Sequence, residues 1–307
     1  MRNVAKTTTL ENKFPLLAVE NNCILSKDAD ITACFEVRLP ELFTVASVEY
    51  EAIHSAWHKA IKTLPDFTVI HKQDWYIKEN YAPDLAIEDQ SFLSKSYQRH
   101  FNERPFLNHY CYLFLTKTTK ERMRMQSNFS SLCKGSLIPK EIRNKETIHR
   151  FMEAVAQFER IVNDSGFVSL RRLTEEDIIG TEDTQGLLEQ YLTLSRQAAT
   201  PMQDIALGTE EVRIGNKRLS LHALSDTDDL PGTVSADTRF EKLSTDRSDC
   251  RLSFAAPVGL LLSCNHIYNQ YLFLDNSEDN LQKFEKSARN MHSLARYSRA
   301  NQINKEW

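Results

Sequence analysis

Two histidines four residues apart, His54 and His58, fall inside a helical apolar pattern, and imidazoles at that spacing on one helix face can ligate zinc. Ser55 follows His54, so the glutamate that serves as base in a zinc-peptidase helix is missing, and no third ligand is evident. The pair reads as two histidines on the flank of an apolar stripe, with a metal enzyme as the rival. Asp226, Asp228 and Asp229 have the start of a calcium-loop spacing but lack the later glycine and the closing glutamate, which leaves a solvated acidic loop. Cys133 stands beside Lys134, whose charge would lower a thiol pKa, yet it has no histidine partner to make it a catalytic nucleophile. No G-x-S-x-G elbow occurs. A nucleotide-hydrolysing loop needs glycine N–H groups around phosphate, then Lys and Ser/Thr. The nearest approach, Gly208 to Lys217, has the wrong spacing and fits a hairpin, so the chain carries no Walker A motif and no other catalytic set.

The residues that remain are suited to contact. Between Lys117 and Lys145 there are eight basic residues against two acidic ones. Lys117, Lys120, Arg122, Arg124 and Lys134 surround Phe129, and phosphate contacts with one stacking ring are the ingredients of a single-stranded nucleic-acid site. One aromatic is a poor stacking platform, so a solvated or partner-facing loop is the leading reading and a single-stranded DNA-binding module the alternative.

The surrounding elements are α/β, of the α+β kind: layered mixed sheets with packed helices. Leu16–Val19 and Cys23–Leu25, split by Asn21–Asn22, predict a hairpin, and Ile31 to Leu39 alternates with period two up to Pro40. Tyr50, Ile53, Trp57, Ile61 and Leu64 form a helical stripe with Ser47 as cap and Pro65 as stop. A strand from Phe67 to Ile77, a helix over Ser91–Phe101 and an all-apolar central strand at Tyr110–Leu115 follow. Further on, Ile148, Phe151, Val155, Phe158 and Ile161 predict a strong helix with Gly166 past its end. Short helices are expected at Thr174–Ile179 and Thr184–Ser195, and a hairpin over Val212–Leu224 turning at Gly215–Asn216. Ser225–Asp249, with seven acidic and three basic residues, predicts an exposed loop. An aromatic-rich strand over Ile267–Leu274 then precedes a helix capped by Ser277 and bearing Leu281, Phe284, Ala288, Met291 and Ala295. The pattern divides into an N-terminal unit, 1–120, and a second unit, 121–307, whose last helix meets no stop signal before Trp307.

Composition limits the classes further. Of 307 residues 41% are hydrophobic and 26% charged, so global disorder is excluded. A net charge of −4 argues against a whole-surface nucleic-acid coat. The six cysteines form no C-x-x-C pair; Cys23, Cys34, Cys111 and Cys264 sit among apolar or strand-like neighbours and read as small buried hydrophobes, in a reducing compartment. The N-terminus lacks the apolar core of a signal peptide, and the longest apolar run, Ala255–Cys264, is about half a membrane span.

Three segments carry more than generic pattern. Phe14-Pro-Leu-Leu-Ala-Val-Glu20 leads into Ile31-Thr-Ala-Cys-Phe-Glu-Val-Arg-Leu-Pro40. Ser55-Ala-Trp-His58 is followed by Leu64-Pro-Asp-Phe67 and Gln73-Asp-Trp-Tyr76, and Asn265-His-Ile-Tyr-Asn-Gln-Tyr271 by a helix ending in Ser298-Arg-Ala-Asn301. Together these resemble the N-terminal domain of the TraG family of conjugative-transposon ATPases, related to the TrbE/CagE type of secretion ATPase. The resemblance implies a docking and assembly domain of a type IV secretion machine, cytoplasmic and peripheral at the inner membrane. It implies as partners the protein's own C-terminal ATPase domain, other inner-membrane conjugation components and further copies of itself, with DNA as a candidate. ATP and magnesium are expected only in that C-terminal domain, so no cofactor is expected in this segment.

Overall fold

The computed structural model describes residues 14–28, 30–41, 45–81, 91–118, 145–193, 196, 203–224, 228, 232–233, 235, 237–252 and 262–294. Strands β1 (Leu16–Glu20) and β2 (Cys23–Ser26) form the expected hairpin, with Asn21 and Asn22 both left-handed at φ 53° and 59°. Positive φ at both turn residues matches the right-handed twist of the strands they join, and Asn tolerates that region well. Strand β3 (Ile31–Arg38) pairs with β2 through residues 31–33 and stops before Pro40.

Helix α1 (Ser47–Ile61) begins one residue earlier than its sequence suggests. Ala46 is the cap, its N–H donating to Glu49 Oε2 at 2.7 Å, while the Ser47 hydroxyl donates to Asp237 Oδ2 at 2.5 Å. Phe67, read from the sequence as the first residue of the next strand, is left-handed at φ 60°, and strand β4 (Thr68–Glu79) starts after it. Phe67 holds that costly conformation because its N–H donates to the Leu274 carbonyl at 2.6 Å and its own carbonyl accepts from Thr118 N at 3.0 Å. Helix α2 (Phe92–Asn102) is capped by Ser91, and strand β5 (Phe106–Lys117) pairs with β4 from Thr68↔Lys117 to Glu79↔Phe106.

Helix α3 (Lys145–Asp164) leads to strand β6 (Ser169–Arg172), which lies beside β2 on the same edge of β3. Helix α4 (Glu175–Ile179) carries the expected box: Thr174 and Asp177 satisfy each other's backbone N–H. Helix α5 (Leu187–Thr193) starts three residues later than predicted, because 181–184 form a turn and Gly180 bridges to Gln185. Gly186 lies so close to Ile179 that an added Cβ would stand 2.2 Å from its carbonyl carbon. Strands β7 (Ile205–Leu207), β8 (Val212–Ile214) and β9 (Lys217–Leu219) make a small sheet around the predicted Gly215–Asn216 turn. Strands β10 (Thr238–Arg239) and β11 (Arg251–Leu252) pair, so the segment expected as an exposed loop holds one short strand; its described residues are exposed or half-buried, and Cys250 and Leu252, just after it, are buried. Tyr50 anchors β11, its hydroxyl donating to the Arg251 carbonyl at 3.3 Å. Strand β12 (His266–Leu274) and helix α6 (Ser277–Leu294) complete the described elements.

The main sheet has seven antiparallel strands in the order β1-β2-β3-β5-β4-β12, with β6 on β3. One face buries Ala33, Phe35, Leu113, Leu115 and Ile70 under α1 and α3, which contributes Phe151, Val155, Phe158 and Val162. The Trp57 ring meets the Phe158 ring edge-on at 5.4 Å. The other face buries Cys34, Trp75 and Tyr112 against Leu173, Ile178 and Leu187 from α4, α5 and the turn leading into α4. Helices on both faces of an antiparallel sheet give the α+β layering read from the sequence. Helix α3 and strands β6 and β12, all beyond residue 120, build into the same sheet and core as β1–β5. Among the described residues no helix is long and apolar enough to cross a membrane.

Candidate docking surface

Strand β12 pairs residue for residue with β4, from His266↔Tyr76 to Leu274↔Thr68, and among the described residues nothing pairs with its other edge. Leu274 packs toward the α1/α3 core and Ile267 toward the opposite cluster. The strand reads HIYNQYLFL, without a Lys, Arg, Asp, Glu or Pro. Those are the residues that blunt an edge against pairing with another chain, so β12 offers a row of backbone donors and acceptors with no deterrent. Tyr271, Leu272 and Phe273 are 56%, 44% and 58% exposed. The strand is nevertheless held firmly: Gln73 Nε2 donates to Asn269 Oδ1 at 2.8 Å, His71 Nε2 meets the same oxygen at 2.9 Å, and the His71 ring stacks on Tyr271 at 4.1 Å. Burial pushes the His71 pKa down, against the opposing pull of the Asn269 bond, and burial raises that of Tyr271.

Helix α6 leaves this edge directly. Its cap is Asn276, not the expected Ser277: Asn276 Oδ1 accepts from Asp279 N at 2.9 Å, and Nδ2 donates to Asp66 Oδ2 at 2.5 Å. Every residue from Leu281 to Ser293 is exposed, including Leu281 at 60% and Phe284 at 73%. An 18-residue helix with an apolar stripe is only marginally stable alone in water, since packing of that stripe supplies most helical stability in proteins. Edge strand and helix together form a surface suited to a protein partner.

The strongest alternative is a polar cluster centred on Asp74 and His109. Asp74 is buried, accepts from His109 Nε2 at 2.9 Å and pairs with Lys72. Burial works to raise its pKa, but the His109 hydrogen bond and the Lys72 charge outweigh that and hold the carboxyl below its ordinary value. His109 and His266 stack on either side of the Tyr76 ring, at 4.7 and 4.6 Å. The nearest thiol, Cys111, is pushed up by burial, which makes it a poor nucleophile for this carboxylate–imidazole pair. A cleft of about 640 Å³ beside it is lined by residues 36–41 and 109–111. A second cleft, about 360 Å³, holds Arg171 between Glu36 Oε2 and Asp177 Oδ2, both at 2.9 Å, with Glu176 and Arg196 also in its lining.

Of the residues singled out from the sequence, His54, His58, Lys117 and Asp228 are among those described. His54 and His58 lie exposed on α1 with parallel rings 6.5 Å apart, and among the described residues no group of three His, Cys, Asp or Glu is placed to hold a metal ion. Lys117 donates to the Asp66 carbonyl and sits over the Phe67 ring at 5.6 Å, which gives it a structural role at the end of β5. Lys120, Arg122, Arg124, Phe129 and Lys134 lie outside the described residues, as do Cys133, Asp226 and Asp229. The stripe of α6 is visible in the sequence; its exposure is not, because a stripe of that spacing more often faces a core.

A family model matches residues 3–55. It is described as a domain of unknown function with a B. Theta gene description, DUF3875. The match takes in β1, β2, β3 and the first half of α1, the same stretch that holds the first of the segments quoted above. No curated protein matches the chain.

Proposed function

We propose that this chain is a non-catalytic docking and assembly domain of a TraG-type conjugation ATPase, working at the cytoplasmic face of the inner membrane in support of DNA transfer. The observation that carries the reading is the β12–α6 surface, an uncharged sheet edge followed by a helix whose apolar stripe faces solvent. Partner binding gives such a surface its use, and its composition suits protein rather than nucleic acid. The whole-chain resemblance supplies the machine, and a DUF3875 match whose description cites a B. Theta gene is consistent with a Bacteroides conjugative element. ATP and magnesium belong to the C-terminal ATPase domain of that machine, and the chain's own partners are that domain and the other inner-membrane components.

Co-purification tests this with each inner-membrane component of the transfer system expressed singly beside the chain. At least one is retained by the native chain and lost from a Leu272→Lys variant that keeps its circular dichroism. Retention of none, or ATP hydrolysis that persists in the purified chain through every step of purification, contradicts the reading. Direct DNA binding through 117–145 is the other outcome: it would fall steeply with salt and vanish in Arg122→Glu with Arg124→Glu.

A further inference from the structure

The β4–β5 hairpin runs on past the rest of its sheet. Strand β12 reaches β4 only as far as Tyr76, and β3 reaches β5 only as far as Cys111, so residues 77–79 and 106–108 pair with each other alone among the described strands. Helix α2 lies between these two strand ends in the chain, and every residue from 91 to 106 is exposed except Gln98. At about 100° per residue the circumference of α2 splits in two. Phe92, Leu93, Tyr97 and Phe101 fall in one half, with Ser96 and His100 between them, and Ser94, Gln98, Asn102, Lys95 and Arg99 fill the other. Phe92 and Leu93 are 85% and 79% exposed, and Tyr81 and Phe106 at the strand ends are exposed beside them. The helix carries no Asp or Glu, and neither Lys95 nor Arg99 has an ion-pair partner among the described residues.

We infer that α2 is an interfacial anchor: it lies flat on an anionic lipid surface, with its ring and leucine side chains among the acyl chains and Lys95 and Arg99 at the headgroups. Charge points to this occupant. The chain as a whole carries −4, so an anionic bilayer repels its body, while a cationic helix at the end of a two-stranded arm can touch lipid with the body held clear. The apolar half spans about 180°, from Phe92 to Phe101, broader than the stripe that one facing helix covers. Aromatic residues on one half of a short helix and cations on the other suit the headgroup boundary, and the stem of Arg99, next to Phe92 on the circumference, can lie along that ring while its charge stays in water. The inference rests on the docking reading only for placing a membrane within reach, and it uses a surface separate from β12 and α6.

Flotation of the full chain with lipid vesicles tests this. Phosphatidylcholine vesicles with about one-third phosphatidylglycerol carry the chain up the gradient, and phosphatidylcholine alone carries at least about tenfold less. Phe92→Ser with Leu93→Ser, or Lys95→Glu with Arg99→Glu, lowers the partition coefficient on the anionic vesicles at least about tenfold. Asp84, Glu88 and Asp89 precede the helix and lie outside the described residues; Asp84→Asn with Glu88→Gln and Asp89→Asn raises the partition, because it removes charges that oppose the surface. Each variant keeps the native circular dichroism and Tm, since α2 buries none of its residues. No binding to the anionic vesicles overturns the inference, as does binding that is equal on neutral lipid or indifferent to both α2 pairs. An inner-membrane component lost from the Phe92→Ser, Leu93→Ser chain, with no vesicle binding by the native one, would make α2 a protein-docking helix and overturn it too. A chain that ignores vesicles yet retains a component through Leu272 overturns this inference while leaving the docking function standing.

Discussion

Phe158 and Phe284 are the same residue type in opposite circumstances, and truncating each to alanine separates core from docking surface. Phe158 is 0% exposed and takes the Trp57 ring edge-on at 5.4 Å, amid Phe151, Val155 and Val162 of its own helix and the Phe35 and Leu113 side of the sheet. Removing its ring forfeits the transfer free energy of the buried atoms and leaves a cavity that the rigid sheet cannot close. A loss of about 3–5 kcal/mol is expected, which for a unit of this size lowers Tm by about 6–20 °C. Phe284 is 73% exposed on α6. Phe284→Ala removes nothing from a core and places a better helix former on an exposed helix, so its effect stays within about 0.5 kcal/mol. The assay is urea denaturation followed by tryptophan fluorescence. Comparable losses for the two variants would mean that α6 packs on the body of the protein, and the docking surface would be refuted.

Other outcomes follow from the same structure. Asp74→Asn should cost roughly 1–3 kcal/mol at neutral pH by breaking the tie to Lys72 and His109. Because the folded-state pKa of Asp74 lies below its ordinary 3.8, the unfolded chain binds more protons between the two values. The Asp74 contribution is thus present above about pH 4 and fades as pH falls through the folded pKa, and the unfolding curves of the native chain and the Asp74→Asn variant should converge there. Gly186→Ala should destabilise the turn between α4 and α5 by about 2 kcal/mol or more, since backbone rather than a flexible side chain occupies the space its Cβ needs; a neutral result in thermal melts would show that the turn relaxes. Cys264, read from its apolar neighbours as buried, is exposed just before β12, so among the described cysteines it should be alkylated fastest at neutral pH. Cys34, buried and with its pKa pushed up to about 12, should react only on unfolding, as mass spectrometry of the labelled chain would show.

The regular elements are legible in the sequence because each carries its own period and its own stop. Asn21–Asn22 marks the first hairpin, Pro40 the end of β3, and the 148–158 stripe the core face of α3. Non-local ties are not legible. Ser47 looks like a cap until Asp237, far along the chain, takes its hydroxyl, and Ser277 looks like one until Asn276 turns back to Asp66. Phe67 reads as strand because nothing local reveals the backbone bonds from Leu274 and Thr118 that hold it left-handed. The same limit governs the candidate site. The aromatic-rich run of β12 and the stripe of α6 are plain in the residues, but whether an apolar stripe faces a core or a partner depends on what packs against it, and no periodicity encodes that.

Hydrogen exchange on the complex tests the central claim most directly. With an inner-membrane component retained in co-purification added in excess, amides of 266–274 and 277–294 should gain protection while those of β1 and β2 at the opposite edge are unchanged. Protection confined to any other surface, with β12 and α6 exchanging as in the chain alone, would contradict the account.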